Sequence, residues 1–352
     1  MMADLKALNF NFQPTTPRDA DALSDFLGRA LKLPAGAPLL DEKHMGWKYW
    51  TARPDWEGSR SFTAQHHGAI VAHAAVWPVR VRVSGQEVAA VHAIDWAADR
   101  KYPGVGTLLM KQIGAMVRMM VATGGSEISR RILPVIGFRP HSELCQFARS
   151  VRPLAQALTA AERNWKLPAR LLRDSFRRLW RPLSLPRGWS ATPLAPEEVP
   201  EGLWPRPSPN TAVTARGPGF YRYFADSPFA QHVLFGLQKD REPAGYFCLA
   251  FAPHAARIAD LWLPSTNVED WCAGFRTAAV VAASQKRVYE VSAWASTALG
   301  KEGLSRAGFL LRGRSAVSLF GDAKILEGRE LHMQMLDSDA SFVSGEVGSY
   351  LT

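Results

Sequence analysis

A short loop of glycine, proline and lysine stands where the chain could hold a phosphate group. It reads Lys101-Tyr102-Pro103-Gly104-Val105-Gly106-Thr107 and lies between a predicted strand that ends at Trp96 and a helix predicted over residues 107–121. The backbone N–H groups and the dipole at a helix start attract anions, and glycine allows close approach. This geometry suits a pyrophosphate. A tight strand-to-helix turn without a ligand explains the same glycine pair.

Two titratable residues on the preceding strand could move protons. A histidine such as His92 has a pKa near about 6.5, so it is mostly neutral at pH 7 and can accept a proton. Strand alternation places His92, Ile94 and Trp96 on one face and Ala93 and Asp95 on the other, although a β-bulge would reverse the end of the strand. The other interpretations are a core histidine bonded to backbone and an aspartate that caps the glycine loop.

Hydrophobic periodicity and turn residues predict the elements around this strand. An apolar stretch at residues 10–12 predicts a strand, and the spacing over residues 19–31 predicts a helix. From Ser61 onward, three antiparallel strands are separated by turns at His67-Gly68 and Ser84-Gly85. The candidate residues therefore lie at the end of a meander that leads into a glycine loop and a helix.

The length and an internal repeat indicate two domains. The 352 residues exceed what one core usually supports, and 47% hydrophobic with 21% charged residues is typical of a folded protein. WKYWTARP at 47–54 is echoed by YRYFADSP at 221–228, and IGF at 136–138 by AGF at 307–309. Repeats half a chain apart indicate duplicated domains. We predict domains over residues 1–150 and 189–352, joined by a basic linker over 151–188.

The predicted linker contains a basic amphipathic helix. Pro168 can begin it and Pro182 must end it, which gives about 14 residues and about 21 Å. One face carries Leu171, Leu172, Phe176, Leu179 and Trp180, and the other Arg170, Arg173, Arg177 and Arg181. The helix is interpreted as a linker whose apolar face packs on a domain, or as a site for an anionic membrane surface. Nucleic-acid binding is the third interpretation, and no zinc, homeodomain or RNP-like signature accompanies the charge.

Charge and cysteine usage exclude several classes. A net charge of +10 favours an anionic partner. The three cysteines, Cys145, Cys248 and Cys272, lack the spacing of a disulfide framework or a zinc site, which favours a reducing compartment. The start lacks the pattern of a signal peptide, and no apolar run approaches the length of a membrane span. We expect a cytoplasmic protein without a metal, with peripheral attachment to the inner face of the membrane if the second interpretation of the linker holds.

The order of strand, helix, meander, glycine loop, long helix and SEISRRILPVIGF resembles the GNAT acyltransferase superfamily. The family loop reads Arg/Gln-x-x-Gly-x-Gly/Ala, and this sequence gives Lys101-x-x-Gly104-x-Gly106. A later signature of Asn, Tyr and Gly-Phe falls on Ser126, Leu133, Gly137 and Phe138. In many GNAT enzymes this Tyr protonates the departing CoA thiolate, so Leu133 leaves the general acid unassigned or replaced by water. The resemblance covers residues 10–151 well and 189–339 in outline.

The resemblance implies an α+β fold of two tandem GNAT-like domains, each a mixed, mostly antiparallel sheet flanked by helices. It implies acyl-CoA as cosubstrate in the first domain, bound by Lys101, Gly104, Val105, Gly106 and Thr107, with the thioester oxygen near the backbone of Trp96 and Ala97. His92 stands where arylalkylamine acetyltransferases place a catalytic histidine, so it is the preferred base, with Asp95 second. The second copy has LPSTNVEDW in place of the glycine loop, and we expect it to have lost CoA binding.

The implied reaction is attack of a primary amine on the thioester of acyl-CoA. Deprotonating an alkylammonium at pH 7 costs about 4 kcal/mol, so a positioned base is valuable. The sequence resembles bacterial ceramide synthases, which implies fatty acyl transfer to a sphingoid-base-like lipid amine. The alternatives are acetyl transfer to a soluble amine or amino sugar, and a non-catalytic CoA-binding module. The aromatic residues Trp47, Tyr49 and Trp50 line an acceptor pocket or belong to the core.

Overall fold

The computed structural model describes residues 9–159 and 165–341. The chain divides into two compact units, each built from two stretches of sequence. Unit 1 comprises the chain up to Ser142 together with Ala316–Gly328, and unit 2 comprises Glu143–Ser315 together with the chain from Arg329 onward. The domain boundaries predicted above assume contiguous segments, whereas unit 1 here also includes Ala316–Gly328 from the second half of the sequence, and unit 2 already begins at Glu143.

Strands in the described part of the chain run from β1 to β14. In chain order they are β1 (Asn11–Pro14), β2 (Ser61–His66), β3 (Ala69–Val83), β4 (Gln86–Ala98), β5 (Met119–Thr123), β6 (Arg139–Ser150), β7 (Trp189–Pro193), β8 (Thr211–Thr214), β9 (Gln231–Lys239), β10 (Glu242–Ala252), β11 (Ala255–Trp262), β12 (Glu290–Ala295), β13 (Leu310–Gly321) and β14 (Glu330–His332).

Helices lie between groups of these strands. They are α1 (Ala20–Leu31), α2 (Glu42–Met45), α3 (Val105–Met116), α4 (Glu127–Ile136), α5 (Pro153–Thr159), α6 (Leu167–Trp180), α7 (Pro218–Ala225), α8 (Val268–Ser284) and α9 (Ala298–Arg306). A π-helical turn, Gly46–Trp50, continues α2. Short 3-10 turns occupy Pro17–Asp19, Pro38–Leu40, Pro196–Glu198, Glu201–Leu203, Ala323–Leu326, Met335–Asp337 and Asp339–Ser341. None of the described helices has the length and apolar character needed to cross a bilayer.

The two units repeat one sheet topology. In unit 1, β1, β2, β3 and β4 pair antiparallel in that order, β4 pairs parallel with β5, and β5 pairs antiparallel with β13. In unit 2, β7, β9, β10 and β11 follow the same antiparallel order, β11 pairs parallel with β12, and β12 pairs antiparallel with β6. In each unit the strand that follows the parallel pair, β13 in unit 1 and β6 in unit 2, comes from the other half of the sequence. The predicted α+β class, with a mixed and mostly antiparallel arrangement of strands in each unit, is confirmed.

Local sequence explains the meander of unit 1. His67-Gly68 and Ser84-Gly85 both have positive φ at the two turn residues, with values of 49° and 77° in the first and 48° and 76° in the second. Two-residue turns of this kind match the twist of the strands they join. One face of the sheet then packs on α3 through Val91, Met120, Leu109, Met110 and Ile113.

The predicted helix over residues 107–121 is wrong at its end. Helix α3 stops at Met116, Val117 is extended with φ −131° and ψ 154°, and Met119–Thr123 form β5. This segment pairs with β4 on one side and β13 on the other, and Met119 to Val121 are at most 1% exposed. Pairing on both sides outweighs the helical spacing of the apolar residues, because tertiary burial overrides a weak local preference.

Candidate active site

Strands β4 and β5 separate in the middle of unit 1. Their parallel register ends at His92 opposite Val121, although β4 continues to Ala98 and β5 to Thr123. Beyond this point β4 stays paired with β3, and β5 stays paired with β13. Two parallel strands that diverge while each keeps its outer neighbour leave an opening between them. An extended ligand can enter such an opening and form hydrogen bonds with the backbone of β4 and β5 where these strands no longer pair with each other.

His92 lies where the opening begins. Its Nε2 is 2.8 Å from Oγ1 of Thr123, and the side chain is 3% exposed. Because His92 pairs with Val121, Thr123 is two residues further along the same face of β5. The half-buried hydroxyl of Thr123 therefore connects the imidazole with the opening. Thr123 is not among the residues predicted from the sequence, and its only signal there is its place at a strand end before Gly124 and Gly125.

A β-bulge turns the end of β4. Asp95 and Trp96 together stand opposite Ala74, and Asp95 has a φ of +49°. The bulge sends Trp96 to the α3 side, where its indole N–H donates to the Gly106 carbonyl at 3.1 Å, and sends Asp95 toward Lys48 on the other side. Simple alternation is therefore wrong for these two residues, and the reversal by a bulge is what occurs.

Asp95 is held as a buried ion pair. Its Oδ2 lies 2.6 Å from Nζ of Lys48 and accepts a 2.7 Å hydrogen bond from the Tyr49 hydroxyl. The Lys48 side chain is fully buried and the Asp95 side chain 8% exposed. Burial acts to raise the pKa of the Asp95 carboxyl, but Lys48, Tyr49 and His73 outweigh it and lower that pKa below its usual value. A carboxylate stabilised in this way is a weak base.

The π-helical turn presents Lys48 and Tyr49. Arg60, which is fully buried, donates to the carbonyls of Trp47, Lys48 and Thr51 at 2.9, 2.9 and 2.7 Å and so satisfies the end of this turn. Trp47 is 5% exposed and Tyr49 is fully buried. Of the two interpretations of the aromatic residues, the core one describes Trp47 and Tyr49.

His73 on β3 is fixed as a neutral imidazole. Nδ1 lies 2.9 Å from the Asp95 carbonyl, which can only accept, so Nδ1 carries the proton and Nε2 accepts from the Ser61 hydroxyl at 2.9 Å. The Thr15 hydroxyl donates to Ser61, and the Trp50 indole N–H donates to Thr15. Burial lowers the pKa of His73 to about 4. This chain of hydrogen bonds, which runs through Thr15 and Ser61 to His73, holds the carbonyl of the bulged residue Asp95 in place.

The glycine loop forms the start of α3. Gly104 is the N-cap residue with a φ of +93°, and no side chain caps this end of the helix. A Cβ at Gly106 would lie 3.0 Å from both the Ala98 Cβ and the Trp96 Nε1, so glycine lets the first turn pack on the bulge. Val105 is fully buried, whereas Lys101 is exposed and Thr107 half-buried. The first turn of α3 thus packs against the end of β4, and the Val105 N–H donates to the Tyr102 carbonyl at 3.2 Å within the loop.

The residues of the later signature serve helix α4. Ser126 is its N-cap and accepts from the Ser129 N–H at 3.1 Å, and Gly137 ends it with a φ of +114°. Leu133 and Phe138 are 9% and 3% exposed in the core of unit 1. Leu133 therefore contributes packing and offers no proton. Among the described residues, no three His, Cys, Asp or Glu side chains are grouped closely enough to bind a metal.

The corresponding helix start in unit 2 is capped by a side chain and carries negative charge. Asn267 caps α8 by accepting from the Glu269 N–H at 3.0 Å, and Glu269 and Asp270 lie in the first turn. A capped helix start with two carboxylates is unsuited to an anion. Unit 2 does repeat the buried charge pair, because Asp260 on β11 bonds Arg216 at 2.8 Å and accepts from the Tyr221 hydroxyl at 2.5 Å.

Solved structures share this fold at low sequence identity. A GCN5-related N-acetyltransferase from Anabaena variabilis ATCC 29413 has a TM-score of 0.57 and 12% identity, covering 91% of this chain and 75% of that chain. Saccharomyces cerevisiae N-myristoyltransferase with bound myristoyl-CoA gives 0.59 and 12%, covering 89% and 79%. A tandem GNAT protein from the clavulanic acid biosynthesis pathway gives 0.53 and 12%, covering 89% and 98%.

Comparisons by sequence gave no such relatives, since no protein-family model and no curated protein matches the chain. The likeness is therefore one of fold. The chain has the fold of the GCN5-related N-acetyltransferases, in a tandem arrangement of two copies.

Proposed function

We propose that this protein is an N-acyltransferase that uses acyl-CoA and binds it in unit 1. The observation that carries the proposal is the separation of β4 and β5 directly beside the uncapped glycine start of α3. One feature suits an extended acyl-pantetheine chain and the other suits its pyrophosphate. The structural likeness to acetyltransferases and to an N-myristoyltransferase with bound myristoyl-CoA supports the same assignment.

The phosphate end of acyl-CoA is assigned to the loop before α3. In this proposal the N–H groups of Gly104, Gly106 and Thr107 bond the pyrophosphate, and the exposed Lys101 balances its charge. Val105 contributes the turn itself, because its N–H donates to the Tyr102 carbonyl at 3.2 Å. The bulge at the end of β4 then brings the backbone of Trp96 and Ala97 next to the thioester carbonyl. N–H groups there would stabilise the oxyanion that forms when the amine attacks.

Proton transfer is assigned to His92 through the Thr123 hydroxyl. The amine nitrogen forms a bond to the thioester carbon and the C–S bond breaks. The proton of the ammonium passes to Thr123, whose own proton moves to His92 Nε2 over the 2.8 Å hydrogen bond. Asp95 is the second candidate, and its lowered pKa and its pairing with Lys48 disfavour it. Water is assigned as the acid for the CoA thiolate, since Leu133 carries no proton to donate.

The acceptor assigned here is a primary amine of a lipid, of the sphingoid-base type, with a fatty acyl donor. A soluble amine or amino sugar with an acetyl donor is the alternative, and a CoA-binding module without catalysis is the third. Release of free CoA thiol should be measured with acetyl-CoA and palmitoyl-CoA against sphinganine, spermidine and glucosamine. If palmitoyl-CoA with sphinganine is the one pair on this panel that gives turnover, the lipid acceptor is supported.

The same assay separates the alternatives. Turnover with acetyl-CoA and a soluble amine transfers the assignment to the second function. Binding of acyl-CoA by calorimetry without turnover on this panel supports the non-catalytic module. If neither acyl-CoA binds, the site in unit 1 is assigned wrongly.

A further inference from the structure

Helix α6 in unit 2 presents its apolar face to solvent. Leu172, Phe176, Leu179 and Trp180 are 74%, 56%, 79% and 74% exposed, and the Phe176 and Trp180 rings stack with centroids 5.3 Å apart. Leu154 and Leu158 of the neighbouring helix α5 are 63% and 66% exposed. We name these six side chains the apolar ridge. Large apolar residues exposed together on two neighbouring helices are unusual on a monomeric protein and mark a docking surface.

The side of α6 that turns toward the rest of unit 2 carries Asp174, and the arginines Arg177, Arg178 and Arg181 beside it are exposed. Asp174 is 4% exposed and is the buried residue of the helix, and its carboxylate pairs with Arg173 at 2.8 Å. A helix that merely linked two domains in water would bury its apolar stripe and expose its charges. The interpretation in which the apolar face of this helix packs on a domain is therefore wrong. The observed orientation suits a helix whose outer face meets an apolar phase.

An arginine cavity of about 320 Å³ lies between α6 and the rest of unit 2. Five arginines line it, and among the described residues of its lining Asp174 is the one carboxylate. The arginines are Arg149, Arg152, Arg177, Arg178 and Arg181. A cavity with this excess of guanidinium groups favours an anion, and planar guanidinium groups suit phosphate oxygens.

Hydrogen bonds to backbone carbonyls fix two of the arginine side chains in the cavity wall. Arg149 Nη2 donates to the Arg181 carbonyl at 2.7 Å, and Arg152 Nη2 donates to the Ala283 carbonyl at 2.7 Å. Burial and then the charges of Arg276 and Arg181 lower the pKa of Arg149 to about 10, which reflects crowded positive charge. Arg149 and Arg152 are thus positioned before any ligand binds, and the exposed Arg177, Arg178 and Arg181 complete the lining that a phosphate would meet.

We propose that helices α5 and α6 dock on an anionic phospholipid surface, with the apolar ridge among the acyl chains and a headgroup phosphate in the arginine cavity. The ridge alone would suit any apolar partner. The arginines beside it select a surface that is apolar and negatively charged at once, which describes the interface of an anionic bilayer. Tryptophan residues such as Trp180 are favoured at the boundary between the lipid headgroups and the acyl chains. The proposal does not depend on acyl transfer.

Flotation of the full-length protein with vesicles tests this docking. The parent protein should bind vesicles that contain about 30% phosphatidylglycerol and bind phosphatidylcholine vesicles much more weakly. Arg177→Gln with Arg181→Gln should lower the partition coefficient on anionic vesicles by about 30-fold. Arg18→Gln with Arg29→Gln, two exposed arginines of unit 1, removes the same charge and should change it little. Leu172→Gln with Leu179→Gln should abolish flotation.

Folding and site effects are controlled separately. The six substituted side chains are all exposed, so melting temperature and acyl-CoA affinity should stay unchanged in each variant. Three outcomes overturn the proposal. The first is that the parent protein does not float. The second is that the protein binds inorganic phosphate by calorimetry but does not bind vesicles. The third is that the protein self-associates in sedimentation experiments and that Leu172→Gln with Leu179→Gln abolishes this self-association.

Discussion

His92 Nε2 and Thr123 Oγ1, 2.8 Å apart, join β4 to β5 just beyond the pair of His92 and Val121, where the two strands begin to separate. If this pair carries the proton, His92→Gln should lower kcat by about 10² to 10⁴, because a general base contributes that much. The defect should shrink above about pH 9, where more of the amine is already deprotonated. Steady-state kinetics over pH, with acyl-CoA affinity measured in parallel, check this.

Thr123 provides the matched pair of variants. Thr123→Ser keeps the hydroxyl and should retain most of the turnover. Thr123→Val keeps the shape of the side chain but removes the hydroxyl, so its kcat should fall by as much as that of His92→Gln. Full activity in Thr123→Val would exclude the relay. Full activity in His92→Gln would make Asp95 the better candidate, and an unfolded His92→Gln would leave His92 as a core residue.

Gly104 should be essential for acyl-CoA binding. Gly104→Asp places a carboxylate at the uncapped start of α3, where it repels a pyrophosphate. Gly68→Asp is the matched control, because Gly68 also has positive φ, 77° against 93°, and a Cβ there meets nothing within 4 Å. Calorimetry should show acyl-CoA binding lost in the first variant and kept in the second. Equal affinities in both would remove the site from this loop.

The pair of Lys48 and Asp95 should matter more for stability than for chemistry. Lys48→Met leaves a buried carboxylate without its cation and should cost about 3–5 kcal/mol of unfolding free energy. The double variant Lys48→Met with Asp95→Asn removes both charges and should recover part of this loss. Urea unfolding of the two single variants and the double variant measures the coupling. Additive losses would mean that the two side chains do not stabilise each other.

His73 should make unit 1 sensitive to acid. Its pKa is about 4 in the folded chain and about 6.5 when unfolded, so the unfolded chain binds the extra proton first as pH falls. Its contribution is fully present above about pH 6.5 and is lost progressively toward pH 4, by about 3 kcal/mol in all. His73→Asn should flatten this part of the dependence. The comparison is made between variant and parent, because His232 and His332 of unit 2 also have pKa values lowered to about 4 by burial. An unchanged slope would show that His73 is not the titrating group.

Much of the fold was predictable because its causes are local. The hairpin turns at His67-Gly68 and Ser84-Gly85 predict the meander, and β3 has the predicted bounds. Pro168 and Pro182 bracket α6 as expected, since proline fits the first turn of a helix and is disfavoured beyond it. The glycines at 104 and 106 mark the start of α3, because one needs positive φ and the other has no room for a side chain.

The sequence by itself determined which residues form the strands of the meander, the glycine start of α3 and the basic helix, because proline, glycine and apolar spacing act within a few residues. Only the tertiary structure decided that Met119–Thr123 is a strand, that a bulge turns Asp95 toward Lys48, and that the apolar face of α6 points outward. Each of these depends on partners far away in the chain. A strand edge, a buried cation or a charged cavity wall changes the free energy of a segment only after the chain has folded, and no local pattern records it.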